Sequence, residues 1–270
     1  MSLKDQTVRD FGEQWLRYPS GHNEGFYGNL DGLRDTFGPL LNPDHLSGCR
    51  VAEVGSGPGR IVNILLDAGA AHVTALEPSD GFDILRKNTS ARSSRITYIR
   101  GDGEQLPLDN FDAIFSIGVL MCIPNVDAVM RRACSALRVG GVFYAWLYGR
   151  EGNELYLALL HPLRRLTMRL PDKYVAGLSH VLNGVLWAYM KICQAIPLPL
   201  PMRRHLVNVM AKYSHRQRFL VVFDQLNPSY AKYYTGAEVR DLFERNGFTN
   251  VELYHRHGHS WAVRGTKSRS

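Results

Sequence analysis

Val51-Ala52-Glu53-Val54-Gly55-Ser56-Gly57-Pro58-Gly59-Arg60 is the stretch that decides the fold. An apolar run, Val51 to Val54, stops at three glycines spaced two apart. Apolar residues at helical steps follow at once: Ile61, Ile64, Leu65 and Ala68. The reading is strand, glycine turn, helix. Such a turn lets backbone approach a ligand where a Cβ would collide, and it aims the free N–H groups of a helix start at that ligand. A dinucleotide fingerprint, G-x-G-x-x-G, would need glycine where Arg60 stands. The pattern is instead E-x-G-x-G-x-G, with Glu53 inside the strand. An acid there repels a pyrophosphate and suits a cationic ligand, one carrying an amino group or a sulfonium.

Outward from this stretch, strands alternate with helical patterns. Strands are expected at Arg50 to Val54, His72 to Leu76, Ile96 to Ile99, Asp112 to Ile117 and Val142 to Leu147. Helices are expected over 60–68, 80–88 and 126–137, the last stopped by Val139-Gly140-Gly141. This alternation implies right-handed crossovers and a parallel sheet in an α/β fold. It fails between 150 and 222, where Val175, Leu178, Leu182, Val185, Tyr189 and Ile192 recur as one apolar stripe of a helix. A second helical stretch, Met202 to Tyr213, follows. After a helix over 237–246, strands at Val251 to Tyr254 and Ser260 to Val263 are joined too tightly for a crossover, so they are antiparallel. At the front, helices over 9–17 and 30–41 form a cap.

Further signals follow the glycine turn in order. Glu77-Pro78 ends the second strand, where a carboxylate can accept hydrogen bonds from ribose hydroxyls. Asp102-Gly103 ends the third, Ser116-Ile117-Gly118 ends the fourth, and Leu137-Arg138-Val139-Gly140-Gly141 precedes the fifth. Together with the glycine turn, this set resembles the class I, Rossmann-like S-adenosylmethionine-dependent methyltransferases, of the kind acting on small molecules. Phe11-Gly12-Glu13-Gln14-Trp15 also resembles a lead-in seen in bacterial members. The resemblance implies a doubly wound sheet, mostly parallel with an antiparallel C-terminal strand, and S-adenosyl-L-methionine as cofactor. It divides the chain into a helical cap (1–47), a cofactor-binding core (48–149), a basic helical insertion acting as substrate lid (150–222) and the rest of the core (223–270). It assigns Glu53, Gly55, Ser56, Gly57, Gly59, Glu77 and Pro78 to the cofactor, Asp102 and Gly103 to its adenine, and Ser116 and Ile117 to the neighbourhood of the reactive methyl. One departure stands out. Many small-molecule members carry a histidine in a V-L-x-H-like stretch after the fourth strand. Here the stretch reads Val119-Leu120-Met121-Cys122-Ile123-Pro124, so no histidine base carries over from it.

The 270 residues carry a formal net charge of +7, with 45% hydrophobic and 21% charged residues, a globular composition. Between Leu155 and Val222 the bases outnumber the single acid, Asp172, to give +9, and the remainder of the chain carries −2. The basic excess thus belongs to one segment, which argues against a nucleic-acid binder. Two readings of that segment stay open. Its stripe packs on the core with the arginines in water, or 155–222 makes a peripheral contact with anionic headgroups. Cys49, Cys122, Cys134 and Cys193 lack metal-ligand or C-x-x-C spacing, so reduced thiols, no metal and a cytoplasmic setting are expected. Met1 to Arg9 has no apolar core behind a basic start, so no targeting peptide is expected. No oligomeric state is read from the sequence.

The acceptor is expected to be a small or lipid-like molecule. Nucleic-acid amino methyltransferases place N/D/S-P-P-Y/F after the fourth strand, and Ser116-Ile117-Gly118 lacks both prolines and the aromatic. Asn227-Pro228-Ser229-Tyr230 reads as an Asn-Pro turn. Tyr230, Tyr233, Tyr234 and Asp224 are candidates to orient or deprotonate the acceptor. His255, His257 and His259 alternate along one edge and would share a face if that edge is a strand. Tyr230, Tyr234 and His259 are taken as the catalytic set. Methyl transfer to oxygen is the expected reaction. Transfer to nitrogen or carbon, or a non-catalytic cofactor-binding module, are the alternatives.

Overall fold

A computed structural model of the chain describes residues 2–19, 25–167, 170–226 and 228–268. Seven strands form one sheet: β1 (Arg50–Val54), β2 (His72–Leu76), β3 (Ile96–Ile99), β4 (Phe111–Ile117), β5 (Leu137–Tyr148), β6 (Phe248–Arg256) and β7 (Ser260–Lys267). Their order is β3-β2-β1-β4-β5-β7-β6. The first five run parallel, and β7 is antiparallel to both β5 and β6. This is the doubly wound sheet with an antiparallel C-terminal end that the resemblance implied. One boundary moves. β5 begins before the glycine pair, because Leu137 pairs with Phe111 and the register then shifts so that Ala113 meets Val142.

The period-two side-chain alternation of the strands sorts the core onto two faces. Ala52, Val54, Ile114, Phe143 and Ala145 pack with α5 (Val126–Ala136) and α10 (Gly236–Glu244). Val51, Val73, Phe115 and Tyr144 face the other way, onto α2 (Leu30–Phe37), α3 (Arg60–Asp67) and α4 (Gly81–Asn88). Gly59 caps α3 with φ +89°, and a Cβ on it would come within 2.8 Å of Thr89 and 2.9 Å of Leu85. Glycine there lets α3 lie close against α4.

The N-terminal helix α1 spans Leu3–Arg17, longer than expected. Ser2 and Asp5 form a capping box that starts it earlier. Between β5 and α10 the chain builds α6 (Glu154–Thr167), α7 (Asp172–Ala195), α8 (Arg203–Asn208) and α9 (His215–Leu226). α9 runs across the 222/223 division without a break. α7 departs from the single stripe read in the sequence. Val175 is buried, and Leu178 and Leu182 pack on the cluster built around α9. Val185 and Ile192, by contrast, are 61% and 48% exposed. The helix therefore has two apolar faces, one packed and one outward. No helix among the described residues is long and apolar enough to cross a membrane.

Candidate active site

A cavity of about 250 Å³ opens at the C-terminal ends of the parallel strands, where doubly wound sheets bind ligands. Strand ends and the glycine turn form its floor. Lys4, Phe11 and Trp15 of α1 close one side, and His205 and Tyr213 of the insertion, with Asp224 just beyond it, close another. Trp15 lies against the turn, since a Cβ on Gly57, whose φ is +51°, would stand 3.3 Å from its indole.

Glu53 is 1% exposed, and its Oε2 has no hydrogen-bond partner. Burial pushes its carboxyl up to about 8 against the pull of the Arg60 guanidinium. Glu77 is also buried and its carboxyl is raised by that burial, but its oxygens are matched. Oε2 accepts from the Gly57 N–H at 2.7 Å, and Oε1 accepts from the Ser79 N–H at 2.9 Å and from the Ser79 hydroxyl. Asp102 pairs with Lys4 at 2.6 Å, so α1 reaches the end of β3.

The cavity wall brings together nine of the expected cofactor residues: Glu53, Gly55, Ser56, Gly57, Glu77, Pro78, Asp102, Gly103 and Ile117. Gly59 and Ser116 are not among the lining residues. Gly59 is occupied with the α3–α4 packing. Ser116 is fully buried and donates to the Val54 carbonyl at 3.4 Å.

The expected catalytic set separates. Tyr230 and Tyr234 do not line the cavity. Tyr234 is 3% exposed in the core beside Val239 and Leu242, fixed because its N–H donates to Tyr148 and its carbonyl accepts from Arg150. Half-buried Tyr230 belongs to the same return segment, which the Lys232 N–H ties to the Met121 carbonyl. Tyr233 stacks on Tyr148, and Tyr148 does line the cavity. Of the Asn-Pro turn, Asn227 lies outside the described residues. Pro228 accepts from Arg164, and Ser229 donates to Asp10 through both N–H (2.9 Å) and hydroxyl (2.5 Å). The three histidines do not share a face, because His257 takes φ +50° in the β6–β7 turn. His255 stacks on Trp261, His257 meets Asp35 at 2.9 Å, and only His259 reaches the cavity.

His259 stacks on His205 of α8, ring centroids 3.8 Å apart. Its tautomer is fixed by Asn153. The Asn153 amide NH₂ donates to the carbonyls of Gly149 (2.8 Å) and His259 (2.6 Å), which leaves its Oδ1 to accept from His259 Nδ1 at 2.7 Å. The proton sits on Nδ1, and Nε2 keeps its lone pair. Burial holds His259 down at about 3 and His205 well below its ordinary value, so both rings are neutral near pH 7. Asp224 lines the same cavity and bonds Gln14 of α1. Burial pushes its carboxyl up to about 7. Cys122 stands where the V-L-x-H histidine would, and burial raises its thiol to about 12, too high to act as a base. His205, Tyr148 and Lys4 carried no signal in the sequence. A lone residue in a helical stretch is marked for a site only by what the fold brings beside it.

Residues 52–145 match the family model described as Methyltransferase domain. The sterol 24-C-methyltransferase of Aspergillus fumigatus is 30% identical over 108 residues, 37% of this chain and 28% of that protein. The ubiquinone biosynthesis O-methyltransferase of a Methylobacterium species is 25% identical over 123 residues, 44% of this chain and 49% of that protein. This chain thus spans half or less of the length of these relatives. Among solved structures, magnesium protoporphyrin IX methyltransferase from Synechocystis superposes with TM-score 0.55 at 14% identity, covering 99% of this chain and 98% of that one. Residues 52–145 thus resemble the Methyltransferase domain, and the strand order and this superposition agree that the whole chain has the Rossmann-like, doubly wound fold.

Proposed function

We propose that the chain transfers the methyl group of S-adenosyl-L-methionine to an oxygen atom of a small or lipid-like acceptor. The observation that carries the cofactor is Glu53: a buried carboxyl oxygen without a partner stands in the wall of a glycine cradle, and a cationic group beside it would draw the carboxyl to its ionised form. Glu77 stands at the end of β2 with its carboxylate oriented by Gly57 and Ser79, available to ribose hydroxyls. Asp102 and Gly103 would hold the adenine end. Once bound, the cofactor supplies an activated methyl on a sulfonium.

The chain's own task is then alignment, exclusion of water and removal of one proton. Asp224, whose carboxyl burial pushes up to about 7, is the group suited to take a proton from an acceptor hydroxyl. His259 offers a fixed Nε2 lone pair that orients the same hydroxyl. The aromatic lining, Trp15, Tyr27, Trp146, Tyr148 and Tyr213, suits an apolar acceptor body. The names of two relatives support the acceptor class, one specifying a sterol and the other O-methylation in ubiquinone biosynthesis.

Calorimetry with S-adenosylhomocysteine and, separately, NADH tests the cofactor. Binding of the first and not the second is expected, and the reverse would overturn the reading. Formation of S-adenosylhomocysteine from S-adenosylmethionine with phenols, aliphatic alcohols, carboxylic acids and amines then tests the acceptor atom. Turnover confined to amines would replace oxygen by nitrogen.

A further inference from the structure

Large apolar side chains are unevenly exposed. Among the described residues, only Leu3, Leu16, Leu108 and Val139 lie exposed outside the stretch 155–198. Within it, α6 turns its buried residues Leu157, Leu160 and Thr167 inward and leaves Leu155, Leu159 and Leu166 outward, at 59%, 69% and 59% exposure. α7 repeats the arrangement over a longer span. Tyr174, Val181, Val185, Ala188 and Ile192 follow one another at steps of seven, four, three and four residues, which at 3.6 residues per turn place them on one face. All five are exposed. A different side of the helix carries Val175, Met190 and Cys193, which are buried. A helix apolar on both faces and covered on only one is unusual for a surface helix.

Charge borders this face. No charged residue occurs between Lys173 and Lys191. Both lysines are exposed, and each lies over an exposed aromatic ring of the same helix, Tyr174 at 4.9 Å and Trp187 at 5.9 Å. Arg165 adds an exposed charge on α6. The whole segment 155–222 carries +9 against −2 for the remainder. Arg164 and Arg218 are buried on carbonyl oxygens of Pro228 and Tyr213, so they brace the insertion, while Arg165, Lys173 and Lys191 remain outward.

We infer that the outward faces of α6 and α7 rest on a lipid surface bearing anionic headgroups, with the leucines, valines and aromatics entering the boundary and the bases meeting the headgroups. A second copy of the chain fits less well. A twofold interface sets the same patch against itself, which would bring Lys173 and Lys191 toward like charges. The inference rests on the reading of a lipid-like acceptor and extends it. α6 and α7 both pack on α9, and α9 carries Asp224 into the cavity, so the docked face and the acceptor side of the site belong to one helical unit.

Sedimentation of the full chain with vesicles of phosphatidylcholine, with and without phosphatidylglycerol, tests it. Binding is expected to the anionic vesicles and to fall as salt is raised, because surface attraction is screened beyond about 10 Å at 0.1 M. Lys173→Gln with Lys191→Gln should lower partitioning by about 25-fold, roughly fivefold for each basic residue removed. Val181→Glu with Val185→Glu should abolish it. Both sites are exposed, and glutamate is a better helix former than valine, so the fold should persist. Circular dichroism and S-adenosylhomocysteine binding on the same variants check this, and cofactor binding without vesicle binding separates failure of this inference from failure of the methyltransferase reading. Three results would overturn it: no sedimentation with either vesicle at low salt, binding unchanged in the double-Glu variant, or a stable dimer that the double-Glu variant splits while vesicles stay unbound.

Discussion

At Glu53, burial raises the carboxyl to about 8, so the folded chain holds this proton more tightly than the unfolded chain does. Between the ordinary glutamate value and 8, the folded form binds more protons than the unfolded one, so stability falls as pH rises through that window. Glu53→Gln is therefore expected to raise the melting temperature of the ligand-free protein at pH 8, with the gain shrinking toward pH 4. The same change should weaken S-adenosylhomocysteine by about 1.5–3 kcal/mol, the usual range for a hydrogen bond to a charged partner. A higher melting temperature with unweakened binding would remove Glu53 from the site. His259 works with the opposite sign. Its folded value of about 3 lies below the ordinary imidazole value, so its contribution is complete above about 6.5 and is lost as pH falls toward 3. His259→Gln should flatten the fall of melting temperature between pH 6.5 and 4 and lower kcat, read by thermal scans and by turnover. A retained acid sensitivity would point instead to His205, whose ring is held down by the same burial.

Among the elements, α1 shows how local and distant signals divide. Its Trp15 lies against Gly57 and Gly81, its Gln14 meets Asp224, and its Lys4 meets Asp102. The Lys4 pair is partly exposed and worth little by itself, so the indole is the contact to remove. Trp15→Ala is expected to weaken S-adenosylhomocysteine binding while shifting the melting temperature by only a few degrees. Equal losses in both would make α1 a plain structural helix. The strands and turns from 50 to 148 were legible in the sequence because a buried parallel strand, a glycine turn and a capped helix are each specified by neighbouring residues. The insertion was not, for a definite reason. Periodicity marks Val185 and Ile192 as apolar but cannot say which apolar residues are covered, and here the uncovered ones form a face of their own. The alternation of His255, His257 and His259 misled because a positive φ at His257 ends the strand pattern between them. Position in the sequence marks Tyr230 and Tyr234 as site residues, but the return segment bonds to the C-terminal end of β5 at Tyr148, which turns Tyr234 into the core.

For the molecule as a whole, the cavity is closed by parts from opposite ends of the chain. α1 meets α9 and the segment after it through Gln14–Asp224 and Asp10–Ser229, and these contacts join the two walls over the strand ends. The parallel strands beneath are buried on both faces, whereas the helical insertion rests on smaller clusters around α7 and α9. Segments with fewer buried contacts open at lower free energy than a core sheet. Entry of ligand is therefore expected to proceed by separation of α1 from α9 while the sheet stays intact, and occupation of the site to hold both walls together. Hydrogen exchange gives the measurement. With S-adenosylhomocysteine bound, amides of α1 and α9 should slow together, although neither helix carries a residue assigned to the cofactor. Asp10→Asn, which weakens the tie to Ser229, should reduce the protection passed to α9 more than that of the turn at 55–59. Protection confined to the strand ends, with α1 and α9 exchanging as in the free protein, would show that the two walls move independently of the site they enclose.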